Sequence, residues 1–119
     1  MSRFYDLVQL ATGSKQVSRI FAAELKDVPM GAKILDVGGG TGLYRDLCPK
    51  TCSYLNLDLD WTKLQGFKRR HPADQAARGS GVHLPLADQS MDICLMIFVS
   101  HHLSADDLHA VLQETRRVP

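Results

Sequence analysis

Apolar positions along the chain recur first at helical spacing and then in short runs separated by turn signals. Phe4, Leu7, Val8 and Ala11 predict a first amphipathic helix, closed by the turn signal Thr12-Gly13-Ser14. Val17, Ile20, Phe21, Leu25 and Val28 predict a second, with Ser14 as N-cap and a stop near Pro29, since a residue before proline resists the α region. Lys33 to Val37 then reads as a short buried strand, running directly into Gly38-Gly39-Gly40-Thr41-Gly42. Leu43 to Leu47 begins a helix ended by Pro49. Ser53 to Asp58 is a second strand, and Asp60 caps a helix carrying Trp61, Leu64 and Phe67 that ends at His71-Pro72. If the alternation continues, a third strand falls between Ala73 and Gly81, although that stretch has little β-propensity. Leu84-Pro85-Leu86 is extended or a loop. Met91 to Val99 is the most apolar segment and predicts a central strand buried on both faces. Ser104 caps a last helix whose inner face carries Leu108, Val111, Leu112 and Thr115. Strands alternating with helices imply a parallel α/β sheet with helices on both faces.

The glycine run carries the chemistry. Four glycines in the five positions from 38 to 42, directly after a strand, exceed what a tight turn requires and let backbone pass close to a ligand. A helix N-terminus after the loop would offer free N–H groups to polar ligand atoms. The dinucleotide pattern G-x-G-x-x-G fails in both registers, because its third glycine would fall on Leu43 or on Arg45. The phosphate loop also fails, with no Lys-Ser or Lys-Thr following. What fits is D-x-G-x-G-x-G, from Asp36 through Gly38, Gly40 and Gly42. Asp58 ends the second strand about 20 residues on, where Rossmann-like sheets place an acidic side chain against ribose hydroxyls.

Composition narrows the class. With 119 residues there is room for one domain, and 45% apolar, 23% charged and a formal net charge of +1 describe an ordinary globular chain. No apolar stretch approaches the roughly 20 residues of a membrane span, and the first ten residues lack a signal-peptide core. Three cysteines, Cys48, Cys52 and Cys94, form no disulfide framework, so a reducing, cytoplasmic setting is expected.

The motifs resemble those of the class I S-adenosylmethionine-dependent methyltransferases, most of all the methyltransferase type 11 domain. ILDVGGGTG, LNLDLD, LPLADQSMDICL, FVSHHL and ETRRV occur in the family's order between about Lys33 and Val118. The resemblance implies an α/β, Rossmann-like, doubly wound parallel sheet of strand order 3-2-1-4. It would form one partial domain, with two N-terminal helices over residues 1–29 and a cofactor-binding half over residues 33–119. It implies S-adenosyl-L-methionine as cofactor and a small-molecule methyl acceptor. The cofactor-binding residues it implies are Asp36, Gly38, Gly39, Gly40, Gly42, Asp58, Leu59, Ser80, Gly81 and Phe98. Asp36 would help hold the methionine ammonium, and a carboxylate near two cationic groups is electrostatically sensible. Ser80 stands where the family commonly carries an acidic residue for the adenine amino group, so a hydroxyl would serve without charge.

Catalytic residues are not assigned by the sequence. His101 is the candidate for a general base, while Ser100 to Leu103 also reads as a polar turn before the Ser104 cap. Cys48 and Cys52 lack the further ligands of a metal site, so no metal is expected. Lys68-Arg69-Arg70-His71 reads as a solvated helix end where the dipole favours cations, and without interleaved aromatics no nucleic-acid partner is expected. The family's sheet has further strands beyond the fourth, so the chain is expected to be C-terminally truncated. Its fourth strand would then be an open apolar edge through which copies could associate. The alternative function is a cofactor-binding or interaction module without turnover.

Overall fold

The computed structural model describes residues 3–5, 19, 23–96 and 104–119. Five parallel strands form one sheet: β1 (Arg3–Tyr5), β2 (Lys33–Val37), β3 (Ser53–Asp58), β4 (Gln75–Arg78) and β5 (Ile93–Met96). Their spatial order is β1-β5-β2-β3-β4. The four strands after β1 therefore realise the expected 3-2-1-4 arrangement, with β2 and β5 at the centre. Among the described residues two α-helices have both ends defined, α1 (Trp61–Arg70) and α2 (Ala105–Arg117).

The central strands are apolar because both their faces are covered. Only Lys33 of β2 is exposed, and all of β5 is buried. Alternation along the strands divides the core. One face carries Ile34, Tyr54, Ile93 and Leu95 against Leu25, Cys48, Cys52 and Phe67. The other carries Leu35, Val37, Leu57 and Cys94 against Leu84, Met91 and Val118. Both helix starts follow from their caps: Asp60 accepts from the Lys63 amide at 3.2 Å and Ser104 from the Asp107 amide at 3.1 Å. The α1 helix ends at His71, as the following proline dictates.

Four expectations are corrected. Phe4 belongs to a strand, not a helix: Arg3, Phe4 and Tyr5 pair with Ile93, Cys94 and Leu95. An apolar run of mixed spacing is satisfied by either period, and an unpaired central strand decides the matter by offering backbone partners. The same pairing means that the outer edge of β5 is not open over those residues. Third, the helix expected after the glycine loop is a single 3-10 turn over Arg45–Leu47. Of the second N-terminal helix, residues 19, 23 and 24 are helical, but Leu25 to Asp27 form a bend and turn, so the helix stops short of the expected end near Pro29; its remaining residues, and the end of the fourth strand beyond Met96, lie outside the described residues. The third strand is present as β4, held by pairing with β3 rather than by propensity.

Candidate functional site

The site is assembled at the C-terminal ends of β2, β3 and β4. Gly38, Gly40 and Gly42 all have positive φ, at 73°, 59° and 77°. Only glycine takes three such values in five residues without strain. Gly39 is required for a different reason: a Cβ there would collide with Asn56 Oδ1 and Asp36 Oδ2. The loop amides point into the protein. Gly38 N and Gly39 N both donate to Leu57 O, at 2.7 and 3.3 Å. Gly40 N donates to Asp58 Oδ2 at 2.8 Å, and Gly42 N to Gly39 O at 2.9 Å. These donors are consumed internally, and no α-helix dipole follows the loop. It is thus poorly built to cradle a phosphate, which needs free N–H groups. Two carboxylates beside the loop, Asp36 and Asp58, oppose an anion and favour a cation.

Asp36 is 1% exposed and lies beneath the loop. Tyr54 donates its hydroxyl to Asp36 Oδ2. Burial raises the Asp36 carboxyl to about 6, the Tyr54 hydroxyl opposing this and the nearby Asp58 charge adding to it. Tyr54 itself is shifted upward by burial and by the Asp36 charge. Asp58 is half-buried; besides Gly40 N it accepts from Asp60 N at 2.8 Å through Oδ1. A carboxylate has about four acceptor positions, so ribose hydroxyls could still be accommodated. Leu59, 61% exposed, follows Asp58 at the mouth of the site.

The segment after β4 completes the group. Gly79 N donates to the carbonyl of Asp58 at 3.1 Å. Gly81 lies against Val37, where a Cβ would approach Val37 Cγ1 to 2.9 Å. Ser80 Oγ accepts from Val82 N at 3.2 Å and closes a local turn. The structure therefore brings together Asp36, Gly38, Gly39, Gly40, Gly42, Asp58, Leu59, Ser80 and Gly81. Phe98 and His101 lie outside the described residues.

Several residues of the site were not singled out from the sequence. Asn56 donates from Nδ2 to Gly40 O at 2.8 Å, while its Oδ1 is buried without a partner. Arg45 is paired with Asp74 at 2.7 Å, donates to Pro49 O and Cys52 O, and stands 5.1 Å from the Tyr54 ring centroid. The signal was present in SYLNLD: a doubly covered strand with Tyr54, Asn56 and Asp58 on one face is polar where a core strand is normally apolar. The ETRRV motif also acquires a physical role. Glu114 Oε1 accepts from Leu84 N at 2.9 Å, and Arg117 donates to Leu84 O, Leu86 O and Asp88. Together they clamp the loop that joins β4 to β5. Cys48, Cys52 and Cys94 are buried free thiols. Among the described residues no group of three or more His, Cys, Asp or Glu could hold a metal ion.

The family model described as "Methyltransferase domain" matches residues 35–119, from within β2 to the end of the chain. The chain belongs to the class I S-adenosylmethionine-dependent methyltransferase domains. A protein of Mycobacterium ulcerans (strain Agy99) named an uncharacterized methyltransferase is 31% identical over 105 residues, covering 86% of this chain and 41% of its own length. Its counterpart in Mycobacterium sp. (strain JLS) is 29% identical over 103 residues, covering 86% and 40%. Among solved structures, a TehB-like SAM-dependent methyltransferase from Corynebacterium glutamicum superposes with a TM-score of 0.70 at 25% identity, covering 85% of this chain and 54% of that one. The chain thus spans about two fifths of the length of these curated methyltransferases. No helix among the described residues is long and apolar enough to cross a membrane.

Proposed function

We propose that this chain carries the S-adenosyl-L-methionine-binding part of a methyltransferase acting on a small-molecule acceptor. The observation that carries the reading is the glycine loop itself. Its amides are turned onto Leu57 and Asp58, and two carboxylates flank it, which suits a ligand with a sulfonium and an ammonium rather than a pyrophosphate. Asp36 would face the ammonium end. Asp58 would accept from the ribose hydroxyls, with Leu59 packing against the nucleoside. Gly38, Gly39, Gly40 and Gly42 let the backbone come close. Ser80 and Gly81 would border the adenine, and Phe98 would wall the methionine end.

The bound cofactor supplies an activated methyl group on a sulfonium, and the chain supplies position and electrostatics. His101 is the proposed general base where the acceptor needs one. Calorimetry with S-adenosylhomocysteine tests the cofactor assignment. Binding is expected, with loss of about tenfold or more in affinity for Asp58→Ala, and no binding of NAD. A folded sample that ignores S-adenosylhomocysteine would overturn the reading. Methyl-transfer assays across candidate acceptors then separate an enzyme from a binding module. If His101→Ala leaves turnover unchanged, the base assignment fails.

A further inference from the structure

Burial and the neighbouring Asp58 charge disfavour the ionised form of Asp36. From β3 come Asp58 and the unpartnered Asn56 Oδ1, an acceptor that shares with Asp36 Oδ2 the space a Gly39 side chain would fill. Tyr44 and Cys48 from the turn after the glycine loop and Cys94 from β5 also face it, and its charge pushes their own ionisation upward, so they stay neutral beside it. None of these is a cation. The Arg45 guanidinium is occupied by Asp74 and two carbonyls and lies over the ring of Tyr54. The Tyr54 hydroxyl is the side-chain donor that favours the ionised carboxylate.

The position of Tyr54 is itself closely determined. Its ring is 2% exposed and tilted against Phe67 at a centroid distance of 5.9 Å, with Arg45 on its other contact. Its strand is in register with β2, placing Tyr54 opposite Ile34 and Asn56 opposite Asp36. The hydroxyl therefore approaches Asp36 along a diagonal between neighbouring strands, from a ring that cannot turn away.

We propose that Tyr54, braced by Arg45, is a positioning residue of the cofactor site: its hydroxyl fixes Asp36 beneath the glycine loop and maintains the charge to which a cationic ligand is drawn. This rests on the reading of the loop as an S-adenosylmethionine site. Asn56 has a complementary part, pinning the loop through Gly40 O while leaving its own oxygen to oppose the Asp36 charge.

Tyr54→Phe removes one oxygen and leaves the ring. The Asp36 carboxyl is followed by carbon-detected NMR titration of the ligand-free protein, and S-adenosylhomocysteine affinity is measured from pH 5 to 8. In the variant the carboxyl midpoint is expected to rise by about one pH unit. Affinity should fall about fivefold at pH 6 and converge on that of the parent near pH 8. An unmoved carboxyl midpoint overturns the proposal, as does an equal loss of affinity at every pH, which is the mark of a merely structural residue. If the parent protein binds no S-adenosylhomocysteine, the cofactor reading fails, while the NMR titration still decides whether Tyr54 governs Asp36. Should Tyr54→Phe not fold, 3-fluorotyrosine labelling in a Tyr44→Phe background keeps the ring and strengthens the donor. It is expected to lower the Asp36 midpoint, and no shift would overturn the proposal.

Discussion

A carboxyl that keeps its proton in the folded chain up to about pH 6, but loses it near 3.8 when unfolded, ties stability to pH in a definite direction. Between those values the folded form of Asp36 binds more protons, so stability falls as pH rises through the window. Asp36→Asn, with no proton to lose, is expected to remove up to about 3 kcal/mol of that fall, read as urea unfolding at pH 4 and pH 7. Gly42 offers a steric prediction at the same scale. Its φ is 77°, and a Cβ would run into the Phe67 ring, which is fully buried. Gly42→Ala combines left-handed strain with a core clash and is expected to cost about 2–4 kcal/mol, measured by denaturant titration. The glycines were legible from the sequence because their spacing is unusual. Arg45 was not: an arginine three residues past a loop looks solvated until Asp74, Pro49 and Cys52 are seen to converge on it.

Elements were legible where a local signal and the tertiary context agree. Asp60 and Ser104 cap α1 and α2 as their sequences indicate, and Met91 onwards supplies the apolar β5. The glycine loop shows the opposite case. Leu43 to Leu47 has helical composition, yet Arg45 is drawn inward to Asp74 and Cys52, and the chain makes only one 3-10 turn before Pro49. β4 is a third kind: its four residues have weak propensity, and pairing with Leu55 to Asp58 makes them a strand. The clamp between α2 and the β4–β5 loop yields an element-scale prediction. Arg117→Met keeps the aliphatic stem but releases the Leu84 and Leu86 carbonyls and Asp88. Amide exchange of residues 82–90 should accelerate severalfold while β2 and β3 keep their protection. Uniform acceleration throughout the sheet would contradict a local clamp.

At the scale of the molecule, the alternation of strands and helices indicated a parallel sheet, and the resemblance of the motifs implied the 3-2-1-4 order that the four strands after β1 adopt. Strand β1 was not legible, because its partner lies some ninety residues away and three residues carry no period of their own. Removing residues 1–5 is expected to leave the outer edge of β5 unpaired. Size-exclusion chromatography should then show concentration-dependent association that the full chain does not show. Equal behaviour of the two chains would indicate that the pairing protects nothing. The same pairing also orders events in time. Arg3 to Tyr5 find their partners only once Ile93 to Leu95 are in place, and parallel pairing over such a separation closes a long loop for few bonds. That edge of the sheet is therefore expected to close after the β2–β3 and β2–β5 ladders during folding and to open before them.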